Sequence, residues 1–322
     1  MRFAKACIAA LAPLVAVGAT GAMAQDFPRM PIQLWVPYAA GGNLDVTTRN
    51  IAPYLAEELG VAVVVQNKPG AGGSVAALQV ARMKPDGYNL MTTATTELSV
   101  TPHITNAAYS IKSFELVGSI NTVPMVIEVP PDSRFKSFAQ MKAEACAHPD
   151  TVSMGIAGIG SVNYMALLRL QEAMKCTFKM VPYNGSGPAL LGVLGNQTDA
   201  ILDQVSSSKG YLDSGKLKPL VVLSQDKVAG VQSVPTLRES GVQGADMATV
   251  AAIVAPAGLP PSVAATLRKA LRKVMARKDV QEKITALGGV AFTAEPDNFM
   301  EVIQPLETQA LRYKAEGKLS TN

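Results

Sequence analysis

Short apolar runs alternate with amphipathic stretches along most of the chain. Period-two or continuous apolar patterns predict strands at 32–36, 61–65, 90–93, 125–129, 152–154, 178–181, 200–202, 220–223 and 250–254. Apolar residues at helical spacing predict helices at 45–59, 74–83, 137–147, 162–175, 187–195, 261–277, 279–287 and 297–315. Strands that alternate with helices in this way belong to α/β folds, in which parallel strands are joined by crossover helices. The strands are numerous for a single sheet, and the apolar segments 123–129 and 248–256 differ from the rest by dividing the chain into outer blocks and an inner block. This layout predicts two lobes, 25–124 plus 250–322 and 125–249, with crossover strands near 123–129 and 248–255. A cleft between them would face the carboxyl ends of the strands, where open α/β sheets place ligands.

Helix punctuation agrees with the scheme. Asn43 or Asp45, Ser74 and Ser161 stand where a short polar side chain caps a first turn. Gly60, Gly195 and Gly288 stand where a helix ends in a left-handed residue. Pro85-Asp-Gly87 and Pro130-Pro-Asp132 read as turns.

The first 24 residues have the form of an export signal. Arg2 and Lys5 precede a small, apolar stretch, and Ala22-Met23-Ala24 supplies an A-x-A cleavage site. The stretch is short for a bilayer span, although an uncleaved anchor remains the alternative. Export predicts a periplasmic protein. The formal net charge is only +4 in 322 residues, which gives no footprint for nucleic acid. The basic residues that do cluster, Arg268 to Lys278, lie opposite Leu267, Leu271 and Val274 and read as the solvated face of a helix. Outside the leader there are two cysteines, Cys146 and Cys176, which in an exported chain read as one disulfide; two buried thiols are the other possibility. His103 and His148 have no ligand-like spacing to them, so no metal is expected.

Four glycine-rich segments, 37–45, 67–74, 155–161 and 183–188, each follow a predicted strand and precede a predicted helix. Such a turn aims backbone N–H groups and the positive end of a helix at the space above it, which suits an anion. Glycine also serves tight turns that bind nothing, but four in one context favour a site. The anion is not a nucleotide: 155–160 lacks the order G-x-G-x-x-G, and no P-loop occurs. Catalysis has little support, because there is no G-x-S-x-G and the carboxylates Glu97, Asp199 and Asp203 have no partner at a useful spacing. Binding without catalytic residues or a cofactor is the expected function.

Several segments carry a family resemblance: Val36-Pro-Tyr-Ala-Ala-Gly-Gly-Asn-Leu-Asp45, Val64-Val-Gln-Asn-Lys-Pro-Gly-Ala-Gly-Gly-Ser74, Pro85-Asp-Gly-Tyr88, Val181-Pro-Tyr-Asn-Gly-Ser-Gly-Pro-Ala189 and Ala255-Pro-Ala-Gly-Leu-Pro260. With these the chain resembles the Bug family, the periplasmic solute receptors of tripartite tricarboxylate transporters. The resemblance implies a type II Venus flytrap, each lobe a mixed, mostly parallel sheet flanked by helices. It also implies a monomer that closes on a small organic carboxylate, such as a di- or tricarboxylate, an aromatic acid or an acidic amino acid, and presents it to membrane transporter subunits. Carried onto this chain, the implied ligand-binding residues are Tyr38, Ala40, Gly41, Asn43, Thr93, Thr95 and Glu97 in the first lobe. In the second lobe they are Gly158, Ser161, Asn163, Tyr183 and Asp203. Asp45 and Arg49, one helical turn apart, read as a structural pair. The first glycine turn is the firmest candidate for a carboxylate contact, and 69–74 reads as a rim or scaffold element.

Two departures from the family pattern bear on specificity. Tyr164 stands where a histidine commonly follows the Gly-x-Gly-Ser helix start, and the loop Ala94-Thr-Thr-Glu97 replaces a small, glycine-containing segment. A Glu97 that pointed into the cleft would repel a second carboxylate or recognise an amine or hydroxyl; a solvated helix-start acid is the plain alternative. A sensory module acting on a membrane signalling protein, and more remotely a secreted hydrolase, are the competing functions.

Overall fold

The computed structural model describes residues 27–291 and 296–319, so the leader read at 1–24 lies outside the described residues. Ile32, Leu34 and Val36 alternate with Gln33 and Trp35, and this pattern forms β1 (Ile32–Val36) with its three aliphatic side chains fully buried. α1 (Asn43–Leu59), β2 (Val63–Asn67), α2 (Ser74–Ala81) and β3 (Asn89–Ala94) follow, and β1 pairs in parallel with both β2 and β3. Two short helices, α3 (Thr95–Ser99) and α4 (Thr101–Thr105), lead into β4 (Phe114–Val129).

The inner block consists of α5 (Phe138–Ala147), β5 (Ser153–Ile156), α6 (Val162–Met174), β6 (Lys179–Pro182), α7 (Ser186–Leu194), β7 (Ala200–Gln204), α8 (Val205–Asp213) and β8 (Lys218–Val222). The chain continues through β9 (Ala248–Pro256), α9 (Pro261–Ala276), α10 (Lys278–Ala286), β10 (Val290–Ala291) and α11 (Pro296–Ala315). The strand order is β2-β1-β3-β9-β4-β7-β5-β6, with β8 and β10 also on β4.

β4 explains how this order makes two lobes. Its residues from Phe114 to Pro124 pair with β9, and its residues from Met125 to Glu128 pair with β7. Pro124 stands at the change of partner. On one side lie the parallel strands β2-β1-β3, and on the other β7-β5-β6, so each lobe is a mixed sheet with helices against it. β9 joins β3 to the first part of β4. The disulfide Cys146–Cys176 is formed, with a Cα–Cα distance of 4.6 Å, and ties the end of α5 to the residues after α6.

Local corrections have simple causes. Neither Asn43 nor Asp45 caps α1: Gly42 is the N-cap, and Asp45 turns back to accept the Gly41 N–H at 3.0 Å. Gly73, not Ser74, precedes α2. Ser161 does cap α6, accepting from the Tyr164 N–H at 3.2 Å. Gly60 and Gly288 are left-handed as expected, whereas Gly195 is not and Asn196 takes the left-handed position. Asp45 and Arg49 pair at 3.0 Å, with Asn67 donating to the same carboxylate. The basic face of α9 is solvated and paired, Arg268 with Glu115 and Lys273 with Glu58.

Candidate functional site

The turns that follow β1, β3, β5, β6 and β7 converge where the two lobes meet. A cleft there is lined by Tyr38, Gly42, Asn43, Leu44, Ala94 and Glu97 of the first lobe, by Ala157, Val162, Asn163, Ser186 and Gln204 of the second, and by Thr249 of β9. Apart from Thr249, the lining residues close a strand at its carboxyl end or belong to the turn and helix start that follow it, the usual ligand position in open α/β sheets.

Two helices enter this cleft without side-chain caps. α1 begins after Gly42 and α7 after Gly185, and neither N-cap contributes a side-chain acceptor. They face one another closely: a Cβ on Gly42 would lie 3.3 Å from the Ser186 Cβ. The free N–H groups and positive ends of two helices, one per lobe, therefore meet across the cleft. Asn43 Nδ2 lies buried at the start of α1 without a hydrogen-bond partner; Thr95 Oγ1, at the start of α3, is also buried without one, but Thr95 is not among the lining residues. No Lys, Arg or His is among the residues that line the space.

The lobes also touch directly. The Ala39 N–H donates to the Asn184 carbonyl at 3.0 Å, Ser206 Oγ donates to Asn43 Oδ1 at 2.6 Å, and Thr101 Oγ1 donates to the Gly160 carbonyl at 3.1 Å. The second glycine turn takes part: Gly72 has φ +61°, and a Cβ there would lie 2.0 Å from the Ile159 carbonyl oxygen. That turn lines no part of the cleft, but it is a contact between lobes rather than a rim.

The implied site residues divide into groups. Tyr38, Asn43, Glu97 and Asn163 line the cleft. Ala40 and Gly41 form the exposed crest of the first turn, where Ala40 abuts Gly187. Thr93 lies beneath, donating to Glu97 Oε2 at 3.2 Å. Gly158 and Ser161 shape the start of α6, Ser161 Oγ donating to the Gly158 carbonyl at 2.7 Å. Tyr183 lies elsewhere: its ring packs against Gly192, and its hydroxyl donates to Gln197 at 3.3 Å.

Asp203 is fully buried behind the lining and gathers the starts of three helices. It accepts from Asn163 Nδ2 at 3.2 Å and from the hydroxyls of Ser186 and Ser207. Burial outweighs these donors and pushes its carboxyl up to about 6. Glu128, fully buried on β4, accepts from Ser208, and burial raises it well above the usual glutamate range.

Gln204, Thr249 and Ser186 are lining residues that sequence reasoning did not name. Gln204 Nε2 donates to Asn163 Oδ1 at 3.2 Å and to Thr249 Oγ1 at 2.9 Å, linking α6 to β9 across the cleft floor. Gln204 directly follows the buried run 200–203, and Ser186 opens a helix, so both stood at positions where strand ends meet ligands.

A cleft between two mixed α/β lobes, entered by helix starts, defines the periplasmic binding-protein class. BugD, a periplasmic binding protein, aligns with a TM-score of 0.86 at 31% identity, over 92% of this chain and 100% of its own. MatC of Rhodopseudomonas palustris with bound malate aligns at 0.79 and 28%, over 91% and 99%. A second R. palustris protein, with adipate, aligns at 0.83 and 25%, over 91% and 99%. The sequence pattern of the tripartite tricarboxylate transporter family receptor, TctC, matches residues 47–313. The chain belongs to that family of solute-binding receptors, as its Bug-like segments implied.

Proposed function

We propose that this chain is exported by its leader to the periplasm, captures a small organic carboxylate between its lobes, and delivers it as a monomer to the membrane subunits of a tripartite tricarboxylate transporter. The observation that carries this reading is the pair of uncapped helix N-termini, from α1 and α7, that face each other in a cleft lined by no cation. Several N–H donors at helix starts can hold a carboxylate without a fixed positive side chain. Malate and adipate in two structural relatives support the same ligand class. Binding rather than catalysis fits a cleft whose acids are occupied in holding helix starts and turns.

The lobes of this reading are 25–124 plus 250–322 and 125–249, hinged where β4 changes partners. Opening is required for entry, because the closed cleft encloses about 20 Å³, space for about one water. A ligand that bridges both lobes then shifts the population toward a closed form.

The test is a thermal-shift panel of carboxylates on protein unfolded and refolded to remove any carried ligand. At least one member should raise the melting temperature, since a ligand bound only by the folded state stabilises it by about 2.7 kcal/mol at a hundredfold excess over Kd. Silence across di-, tri- and aromatic carboxylates would overturn the reading.

A further inference from the structure

Glu97 is fully buried in the first turn of α3, and its surroundings can be counted proton by proton. Oε2 accepts the Ala94 N–H at 2.6 Å, and it shares the one proton of the Thr93 hydroxyl, 3.2 Å away, with the Ala94 carbonyl oxygen at 2.9 Å. Oε1 is in hydrogen-bond contact with the Tyr38 hydroxyl and lies 3.5 Å from the Thr96 hydroxyl, a long contact that places no proton between Glu97 and Tyr38. That hydroxyl also lies 3.2 Å from the Gly72 carbonyl oxygen, which can only accept. Tyr38 has one proton for two acceptors. The Thr101 hydroxyl does not make up the difference, since its own proton is shared among the carbonyls of Gly72, Thr96 and Gly160. The set is satisfied if Glu97 carries a proton, donates it to Tyr38, and so frees Tyr38 to donate to Gly72.

The charge around Glu97 agrees. The titratable groups that face it among the described residues are Tyr38 and Tyr109, the latter donating to the Glu97 carbonyl at 2.9 Å. Among the described residues, the side chains that α2, β9 and α11 bring to the buried cluster around neighbouring Leu98 are all apolar, Ala77, Val250 and Phe299 among them. Burial outweighs the donors and raises the carboxyl above its ordinary value. Of the other acids near the cleft, Asp203 has its oxygens engaged by Asn163, Ser186 and Ser207, and Asp45 has its own engaged by Gly41, Arg49 and Asn67.

We infer that Glu97 is a neutral carboxylic acid donating to Tyr38, and that the receptor takes a carboxylate whose second polar group is anionic or uncharged rather than an ammonium. This rests on the carboxylate reading above. An ionised Glu97 would repel a second carboxylate and pair with an amine; a neutral one does neither. A buried ammonium would then stand without a counter-charge, which is costly. Glu97 acts as a positioning residue, holding Tyr38 and the second glycine turn through its proton.

The test uses matched pairs differing by an ammonium: succinate and aspartate, glutarate and glutamate, 3-phenylpropionate and phenylalanine, titrated calorimetrically near neutral pH. In whichever pair binds, the acid without the amine should be tighter by about tenfold or more, a difference of about 1.4 kcal/mol. Glu97→Ala should weaken that binding by a similar factor. Glu97→Gln should recover most of it, because its amide N–H can donate to Tyr38. Infrared difference spectra of the wild type against Glu97→Gln should show a protonated carboxyl band near neutral pH, a readout that needs no ligand. Tighter binding of the amino acid, with Gln behaving like Ala, would overturn the inference. An ionised band while the simple acid still binds would sink the inference and leave the receptor reading standing. If no pair binds, the ligand half of the inference falls, the wider carboxylate panel decides the receptor reading, and the band alone decides the protonation.

Discussion

Asp203 shows how a residue can govern a site it does not line. Its carboxylate holds Ser186 at the start of α7, Ser207 on α8 and Asn163 on α6, so it fixes the second wall of the cleft. Its ordinary value of 3.8 is raised to about 6 by burial. Between these two values the folded state binds more protons than the unfolded state, so stability is fully present below the lower and falls as pH rises through the upper. The contribution lost is about 3 kcal/mol, and Glu97 and Glu128 act with the same sign because burial raises them too. Urea denaturation followed across this window should show stability falling with pH, and Asp203→Asn should flatten the fall. An unchanged slope in the variant would contradict the assignment.

At the scale of elements, the approach of α7 to the first glycine turn makes a prediction about closure. A Cβ on Gly187 would lie 2.2 Å from the Ala40 carbonyl oxygen, yet Gly187 itself does not have a left-handed φ. Gly187→Ala should therefore suit α7 alone, adding up to about 1 kcal/mol of helix stability, while obstructing the lobe contact. The expected outcome is a melting temperature equal to or above the wild type, with carboxylate affinity lowered by about tenfold or more, a loss of about 1.4 kcal/mol. Gly210→Ala on α8, where a Cβ meets nothing within 4 Å, is the control. Equal affinities in the two variants would show that this contact is irrelevant to binding.

The elements were legible in the sequence to different degrees, for physical reasons. β1, β5 and β7 are buried runs bounded by glycine or polar turns, and they stand within two residues of their predicted limits. The first part of β4 was missed because Glu115, Gly118, Ser119, Asn121 and Thr122 interrupt its apolar residues where two register shifts kink the pairing with β9. α8 was missed because Val205-Ser-Ser-Ser-Lys-Gly reads as loop, although the register of β7 and the deep burial of Val205 and Ser208 impose the helix. Within the site, the glycine turns were visible because close backbone approach demands glycine. Tyr183 was misplaced and Gln204 overlooked for the opposite reason: which way a side chain points after a strand depends on packing that local sequence does not encode.

The whole molecule is braced at more than the cleft. Glu172 on α6 accepts two hydrogen bonds from Arg312, at 3.0 and 2.8 Å, and one each from Tyr313 and Lys318, at 2.7 and 3.1 Å. These pairings hold its carboxyl near 2 and join the inner block to the end of α11, whose His103–Glu307 contact anchors it on α4. The lobes are thus linked by β4, by this brace and by the contacts around the first two glycine turns. The central claim is that a small carboxylate is captured by closing the lobes. Small-angle scattering on refolded protein, with and without the most stabilising panel member, tests it most directly. A radius of gyration that falls on ligand addition is the predicted result. Thermal stabilisation by that ligand with no change in the radius of gyration would contradict capture by closure.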